Sequence, residues 1–162
     1  MTSDSRFVNP TVDDATGSIV DHAGLDVVAP EDALDLLKAS PVARIAFVHD
    51  DDVVILPINI GWWEGQVVFS TQRGSKLHSA VMGRRVAIEV DGFDEATRTG
   101  WSVLAKGAAS VVTDGRTIDS LDRLSVRSWV HPDVPKHWVQ VRLAEVTGRR
   151  TPAADPPPAP GE

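Results

Sequence analysis

The chain has 162 residues and a mass of 17.4 kDa, the size of one globular domain with a substantial core. Its 16 lysines and arginines against 23 aspartates and glutamates give a formal net charge of −7, which argues against a dedicated nucleic-acid-binding protein. The absence of cysteine excludes disulfides, iron–sulfur clusters and a thiol nucleophile, and with neither a signal-peptide pattern nor a membrane-length apolar run we expect a cytoplasmic protein.

The distribution of charge along the chain predicts its domain boundaries. Residues 1–35 carry eight acidic side chains and one basic one, whereas residues 36–162 carry 15 of each. Because residues 1–23 also lack apolar periodicity, we expect them to form an acidic, flexible leader. Residues 151–162 are rich in proline and predict an extended tail. The folded domain is therefore expected to span residues 24–150.

The first half of this domain predicts one helix followed by three strands. Residues 30–40 begin with proline and acidic residues and place their apolar side chains on one face, which is typical of a short amphipathic helix. Residues 42–50, 53–63 and 67–71 are rich in β-branched residues and are separated by short polar turns. They predict antiparallel strands joined by tight turns.

The second half predicts two further helices and three further strands. Residues 74–83 and 115–129 have helical apolar spacing, and the first of them ends on a glycine. Strand patterns return at 84–93, 100–113 and 137–150, and Gly107 within the second of these indicates a bulge or bend. Six antiparallel strands with short helices between them predict a mainly β protein that forms a closed or split barrel, since closure removes exposed sheet edges.

A candidate anion-binding segment lies at Val67–Lys76, where a strand is followed by a glycine turn and the start of a helix. Free N–H groups at a helix start, a flexible Gly74 and nearby cations are the features that hold a phosphate. The side chains that could take part are Ser70, Thr71, Arg73, Ser75 and Lys76. The spacing is not that of a Walker loop, and on composition alone an ordinary polar connection remains an alternative.

Other sequence features indicate packing or assembly. The five histidines lack the close spacing of metal ligands, so we expect no metal site. Trp62 and Trp63 are adjacent at the end of a predicted strand, and one of the two must therefore point away from the barrel interior. Exposed apolar strand faces of this kind suggest a homodimer.

Taken in order, several segments of the chain resemble a known family. ARIAFVHDDDVVILPINI, VVFSTQRGSK and RRVAIEVDGFDEATRTGWSVLAKGAASVV resemble the pyridoxamine 5′-phosphate oxidase-like flavin-binding proteins, over about residues 30–150. The resemblance implies a six-stranded antiparallel split β-barrel of the FMN-binding type. It also implies a homodimer that holds two flavin mononucleotides (FMN) at the subunit interface.

The family's binding positions carry over to specific residues of this chain. The strand Leu56–Asn59, including Pro57, Ile58 and Asn59, is expected to line the isoalloxazine ring of the flavin. Ser70 and Thr71 are expected near the ring and the ribityl phosphate, and Ser75 and Lys76 on the phosphate itself. Trp101 corresponds to the position from which the other subunit reaches the cofactor, and Trp129 to a residue that closes the site near the ring.

The resemblance implies an FMN-dependent oxidoreductase with redox chemistry at the flavin N5, acting on a small molecule with a separate electron donor. His137 is the candidate proton donor, because it lies between Trp129 and the last strand and imidazole commonly transfers protons near neutral pH. The chain lacks the C-terminal arginine and histidine with which the true oxidases grip their substrate, so that particular activity is not expected.

Three alternatives to this function remain open. A deazaflavin-dependent reductase would need a basic groove for the acidic tail of its cofactor, and Arg73, Arg84 and Arg85 could build one. A module that binds flavin without turnover would need only the phosphate segment. A haem-binding module would need an axial ligand, for which His49, His78 and His137 are the candidates.

Overall fold

The computed structural model describes residues 10–13, 18–72, 77, 81–124, 126 and 136–152. Within these ranges the chain forms ten strands and two helices. The strands are β1 (Thr11–Val12), β2 (Ile19–Val20), β3 (Asp26–Val28), β4 (Val42–His49), β5 (Asp52–Asn59), β6 (Gly61–Trp63), β7 (Gln66–Gln72), β8 (Arg85–Asp94), β9 (Thr99–Val111) and β10 (Lys136–Arg150). The helices are α1 (Pro30–Ala39) and α2 (Gly115–Leu121).

All strand pairings are antiparallel, and those from β4 to β10 run in a ring. β4 pairs with β5 and β8, β9 with β8 and β10, and β7 with β10 and β6. β5 continues into β6 through the single residue Ile60, whose N–H donates to the carbonyl of Pro41 at 3.1 Å. The mainly β, antiparallel barrel predicted from the sequence is confirmed. The predicted strand 53–63 is β5 and β6 together, and β1 to β3 are additional to the six predicted strands.

The barrel core is filled by alternate residues of the ring strands, as the period of two in a strand requires. Among the fully buried side chains in this core are Ile45 of β4, Phe69 of β7, Ile88 of β8, Val103 of β9 and Val139 of β10. Helix α1 buries Ala33 and Leu37 against the same core. A second, smaller cluster lies on the outer side of β7 and β10, where α2 covers Val68 and Trp138. We call the side of the sheet that faces away from the barrel core the outer face.

β10 is the central strand of the molecule. It pairs with β9 from Val139 to Arg150, with β7 over its first half and with β3 at its end. The register between β9 and β10 shifts between Leu143 and Glu145, so Ala144 is the extra residue of a bulge. Gly107 lies opposite Leu143. The predicted irregularity is therefore real, and the extra residue belongs to β10.

The second predicted helix of the domain lies largely outside the described residues, and the third is shorter than predicted. The predicted helix spans residues 115–129, whereas α2 ends at Leu121. Asp122 caps this helix end with its own N–H donating to the carbonyl of Ile118 at 2.8 Å. Its Oδ1 accepts a hydrogen bond from the indole of Trp138 at 2.8 Å and forms an ion pair with Lys136 at 3.1 Å. These contacts tie the end of α2 to β10.

The predicted leader and tail fall only partly within the described residues. Residues 10–13 and 18–23 contain β1 and β2, and Asp21 is buried against the end of β10. Of the tail, only 151 and 152 are described. The boundaries at residues 23 and 151 stay predictions. None of the described helices is both long and apolar enough to cross a lipid bilayer.

Candidate functional site

The strand predicted to line the flavin ring is β5. It pairs with β4, and its end lies next to β7. Gly61 of β6 pairs with Val68 of β7. Asn59 precedes Gly61 by two residues and Ser70 follows Val68 by two, and because strand side chains alternate, all four lie on the outer face. β5 also contacts β7 directly. The structure thus brings two of the predicted cofactor residues, Asn59 and Ser70, to one place on the barrel surface.

Asn59 has an unusual hydrogen-bonding state. The residue is half-buried, but its Nδ2 atom is inaccessible to water and has no hydrogen-bond acceptor among the described residues. A buried donor without a partner costs about 1–3 kcal/mol, and such groups are rare in native proteins. A donor without a partner at this position is expected where a ligand supplies the acceptor.

Thr71 and His137 lie on the other side of the same strands. They face each other in the register of β7 and β10, and Thr71 is only 4% exposed. Both continue the inward row of Phe69 and Val139, so they lie at the end of the barrel core. The two hydroxyl side chains predicted near the cofactor therefore lie on opposite sides of β7: Ser70 on the outer face and Thr71 in the interior.

A polar cluster anchors the start of β10 beside His137. The indole Nε1 of Trp138 donates to Asp122, and the Lys136 ammonium group lies 5.1 Å from the centre of the Trp138 ring. The hydrogen bond from Trp138 is the largest influence on the pKa of Asp122 and lowers it; partial burial opposes the shift and Lys136 reinforces it. Sequence analysis missed this cluster, although the pairing of a buried tryptophan with an acid after a short helix was a usable signal.

The other residues of the predicted ring-binding strand differ in exposure. Ile58 is buried in the barrel core, whereas Pro57 is exposed on the outer face opposite Arg44 of β4. The Arg44 guanidinium is held by Asp91 at 2.7 Å and Glu89 at 3.0 Å. Ile58 can therefore present only its backbone to a ligand on the outer face, while Pro57 and Asn59 can present side chains.

An apolar surface adjoins this strand. On the outer face of β4 and β5, Val53 is 72% and Ile55 60% exposed. With their neighbours they form what we call the β4–β5 patch, which consists of Val42, Val48, Val53 and Ile55. Contiguous exposed apolar residues on a sheet face are typical of an interaction surface.

Trp101 lies near the start of β9. It pairs with Gly92 of β8 and with Arg150 at the end of β10, thirteen residues along that strand from His137. Its indole covers Gly92 so closely that a Cβ there would lie 2.6 Å from the indole nitrogen.

Trp101 forms part of the wall of a cavity of about 1060 Å³ between α1 and the β8–β9 hairpin. The charged residues lining it are Asp26, Asp32, Asp35, Asp94 and Arg150. The cavity is thus predominantly acidic.

Three predicted cofactor residues, Ser75, Lys76 and Trp129, lie outside the described residues. Their assignment to the phosphate and to the closure of the site stays a prediction from the sequence. Within the described ranges, no three histidine or acidic side chains come together in a way that could hold a metal ion.

The chain matches known proteins both in sequence and in structure. The family model described as pyridoxamine 5′-phosphate oxidase matches residues 29–150. An uncharacterized protein of Mycobacterium tuberculosis is 37% identical over 83 residues, which cover 51% of this chain and 73% of the relative.

Two solved structures share both fold and sequence. The FAD-binding protein of Mycobacterium smegmatis is 32% identical with a TM-score of 0.65, and the match covers 77% of this chain and 96% of that one. A conserved protein of unknown function from Corynebacterium diphtheriae is also 32% identical, with a TM-score of 0.67 and coverage of 78% and 98%.

Proposed function

The chain belongs to the pyridoxamine 5′-phosphate oxidase family, and on that premise we propose that it binds a flavin and acts as an FMN-dependent oxidoreductase on a small molecule. The observation that carries the proposal is the buried, unpaired Nδ2 of Asn59 at the end of β5. The atom lies on the strand that the family resemblance assigns to the flavin ring. A planar ring with carbonyl oxygens and ring nitrogens offers the acceptor that the chain does not.

The described residues fit a flavin in two respects. Pro57 supplies an exposed apolar surface next to Asn59, which suits the face of a planar ring. Ser70 adds a hydroxyl on the same outer face. The Mycobacterium smegmatis relative is an FAD-binding protein, and FAD contains the whole FMN group, so it would use the same ring contacts. From the sequence, Ser75 and Lys76 are proposed to hold the phosphate.

In the proposed mechanism the protein positions groups around the cofactor. When bound, the flavin supplies the two-electron chemistry at its N5. Asn59 would donate hydrogen bonds to the ring and so favour negative charge on it. His137 is the proton donor proposed from the sequence, and the contacts of Trp138 with Asp122 and Lys136 hold the segment that carries it. Within one chain His137 faces the barrel interior opposite Thr71, on the other side of the sheet from Asn59 and Ser70.

We further propose that the active form is a homodimer. The β4–β5 patch is an apolar surface that a second copy could cover. The resemblance assigns Trp101 to the flavin of the partner subunit. The homodimer therefore accounts for the exposed patch and for the role that the resemblance gives to Trp101. We place this dimer in the cytoplasm, where a small-molecule substrate and an electron donor would reach it.

The absorption spectrum of the purified protein tests the proposal, together with mass identification of any released cofactor. We expect bands of oxidised flavin and the mass of FMN after release. A Soret band would instead indicate the haem-binding alternative, and the mass of a deazaflavin the reductase alternative. A colourless protein that takes up neither flavin nor deazaflavin when they are added would contradict the proposed function.

A further inference from the structure

The outer row of β5 carries a single side chain able to donate a hydrogen bond. Along this row Val53, Ile55 and Pro57 are exposed and offer none, and the row ends at Asn59. Proline also lacks a backbone N–H. Among the side chains of this row, the one donor that a ligand meets is therefore the buried Nδ2 of Asn59.

We propose that the side-chain amide of Asn59 donates a hydrogen bond to the flavin ring and by doing so binds the reduced cofactor more tightly than the oxidised one. The inference rests on the proposed flavin function and assigns to one residue the control of the reduction potential. A reduced flavin ring carries more negative charge than the oxidised ring, and a hydrogen bond to a charged acceptor is about twice as strong as one to a neutral acceptor. Because water does not reach Nδ2, solvent does not weaken this interaction.

The state of Asn59 in the free protein supports a role in binding rather than in folding. A residue kept for stability would satisfy its own buried polar atoms, because an unpaired buried donor destabilises the fold. Nδ2 has no acceptor in the described part of the chain, so the ligand-free fold gains nothing from this group. An apolar residue of similar volume at this position is therefore expected to leave the ligand-free protein as stable as before, or more stable.

This expectation separates a binding role from a structural one. The test uses the full chain with its flavin removed, as wild type and as Asn59→Leu and Asn59→Asp. Gln66→Leu is the matched control, since it removes an amide from the start of β7, four residues before Ser70. Thermal unfolding of the flavin-free proteins is measured first, and then the affinity for FMN in its oxidised and chemically reduced forms.

We expect Asn59→Leu to unfold at or above the wild-type temperature and to lose about tenfold more affinity for reduced FMN than for oxidised FMN. Such a tenfold difference corresponds to a midpoint potential about 30 mV lower for a two-electron couple. Asn59→Asp should lower the potential further, because it replaces the donor by a group of negative charge. Gln66→Leu should leave the ratio of the two affinities unchanged.

Two results would overturn the inference while leaving the proposed function intact. One is wild-type protein that binds FMN together with an Asn59→Leu variant whose ratio of affinities is unaltered. The other is a marked loss of thermal stability in flavin-free Asn59→Leu, which would show that Nδ2 has a structural partner. Failure of the wild type to bind any flavin would instead refute the proposed function, and this inference with it.

Discussion

Asp21 and Arg149 form a buried ion pair across 128 positions of sequence, with Arg149 Nη1 donating to Asp21 Oδ2 at 3.0 Å. The other carboxylate oxygen accepts from the backbone N–H groups of Ala23 at 2.8 Å and Leu25 at 3.1 Å. The Asp21 side chain is fully shielded from solvent. These bonds fasten the segment before β3 to the end of β10, close to the cavity beside Trp101.

Asp21→Asn is expected to lower the temperature of unfolding by several degrees, since it leaves the Arg149 charge without its partner in a mostly enclosed site. The matched control is Asp35→Asn, because Asp35 pairs with Lys38 but its side chain is 74% exposed, and surface pairs of this kind contribute little. Equal changes in the two variants, measured by calorimetry, would contradict a structural role for the Asp21–Arg149 pair.

The same pair predicts an acid-dependent loss of stability. Burial raises the pKa of Asp21, but the hydrogen bonds from Leu25 and Ala23 and the charge of Arg149 outweigh it and hold the pKa below its ordinary value of 3.8. Because the folded-state pKa is the lower one, the stabilisation is present above pH 3.8 and is lost as the pH falls below it. Unfolding measured from pH 6 to pH 2 should therefore show a smaller decline for Asp21→Asn than for the wild type.

Gly92→Ala is expected to displace the Trp101 indole, since the added Cβ would lie 2.6 Å from its nitrogen. If Trp101 reaches the flavin of the partner, affinity for FMN should fall about tenfold, a loss of about 1.4 kcal/mol. Fluorescence titration with FMN measures the change. Gly115→Ala is the control, because open space surrounds that position; an unchanged affinity in Gly92→Ala would argue against Trp101 as a cofactor contact.

Val53→Lys is expected to convert the proposed dimer into a monomer, as it places a charge at the most exposed residue of the β4–β5 patch. The dissociation constant of the dimer should rise by more than about tenfold in analytical ultracentrifugation. Val12→Lys makes the same change at a valine that is 64% exposed in β1, outside the barrel ring. A dimer that survives Val53→Lys, or dissociates equally in both variants, would place the interface elsewhere.

Lys76→Ala is expected to weaken binding of FMN by about tenfold or more while leaving riboflavin binding nearly unchanged, because only FMN carries the phosphate. The sequence around Lys76 supports this assignment. Isothermal titration with the two ligands gives the comparison, and Lys38→Ala on α1 is the control. Equal losses for FMN and riboflavin would show that Lys76 does not contact the phosphate.

His137→Ala is expected to reduce turnover with a working electron donor by at least about 100-fold, the usual contribution of a general acid, without altering the affinity for oxidised FMN. The profile of rate against pH should also lose one of its two slopes. His22→Ala, at an exposed turn before β3, is the matched control. Unchanged turnover in His137→Ala would remove His137 from the mechanism.

The strands could be predicted because their signal is local. Alternation in 42–50, 84–93 and 137–150 predicts β4, β8 and β10, and the inward residues Ile45, Ile88 and Val139 are indeed fully buried. The period of two places one face of each strand against the core, whatever its neighbours are. The barrel class follows from the number of such strands.

The contacts that finish the fold could not be predicted in this way, because each joins residues far apart in sequence. Nothing near Asp21 indicates that it meets Arg149. Periodicity alone extended the helix to residue 129, since it does not show that α2 ends at Leu121 or that the carboxylate of Asp122 meets Trp138 of β10. The orphaned amide of Asn59 was equally invisible, because a pattern of residue types does not show which polar atoms remain unpaired.

The course of β10 has a consequence for how two bound flavins would influence each other. Its first half pairs with β7 beside His137, and its last residues pair with β9 at Trp101, with the Ala144 bulge between them. In a homodimer one end of this strand would serve its own flavin and the other end the flavin of the partner. A displacement of this strand at one cofactor site would thus reach the other site. We therefore expect the two flavins to bind cooperatively, with unequal first and second affinities.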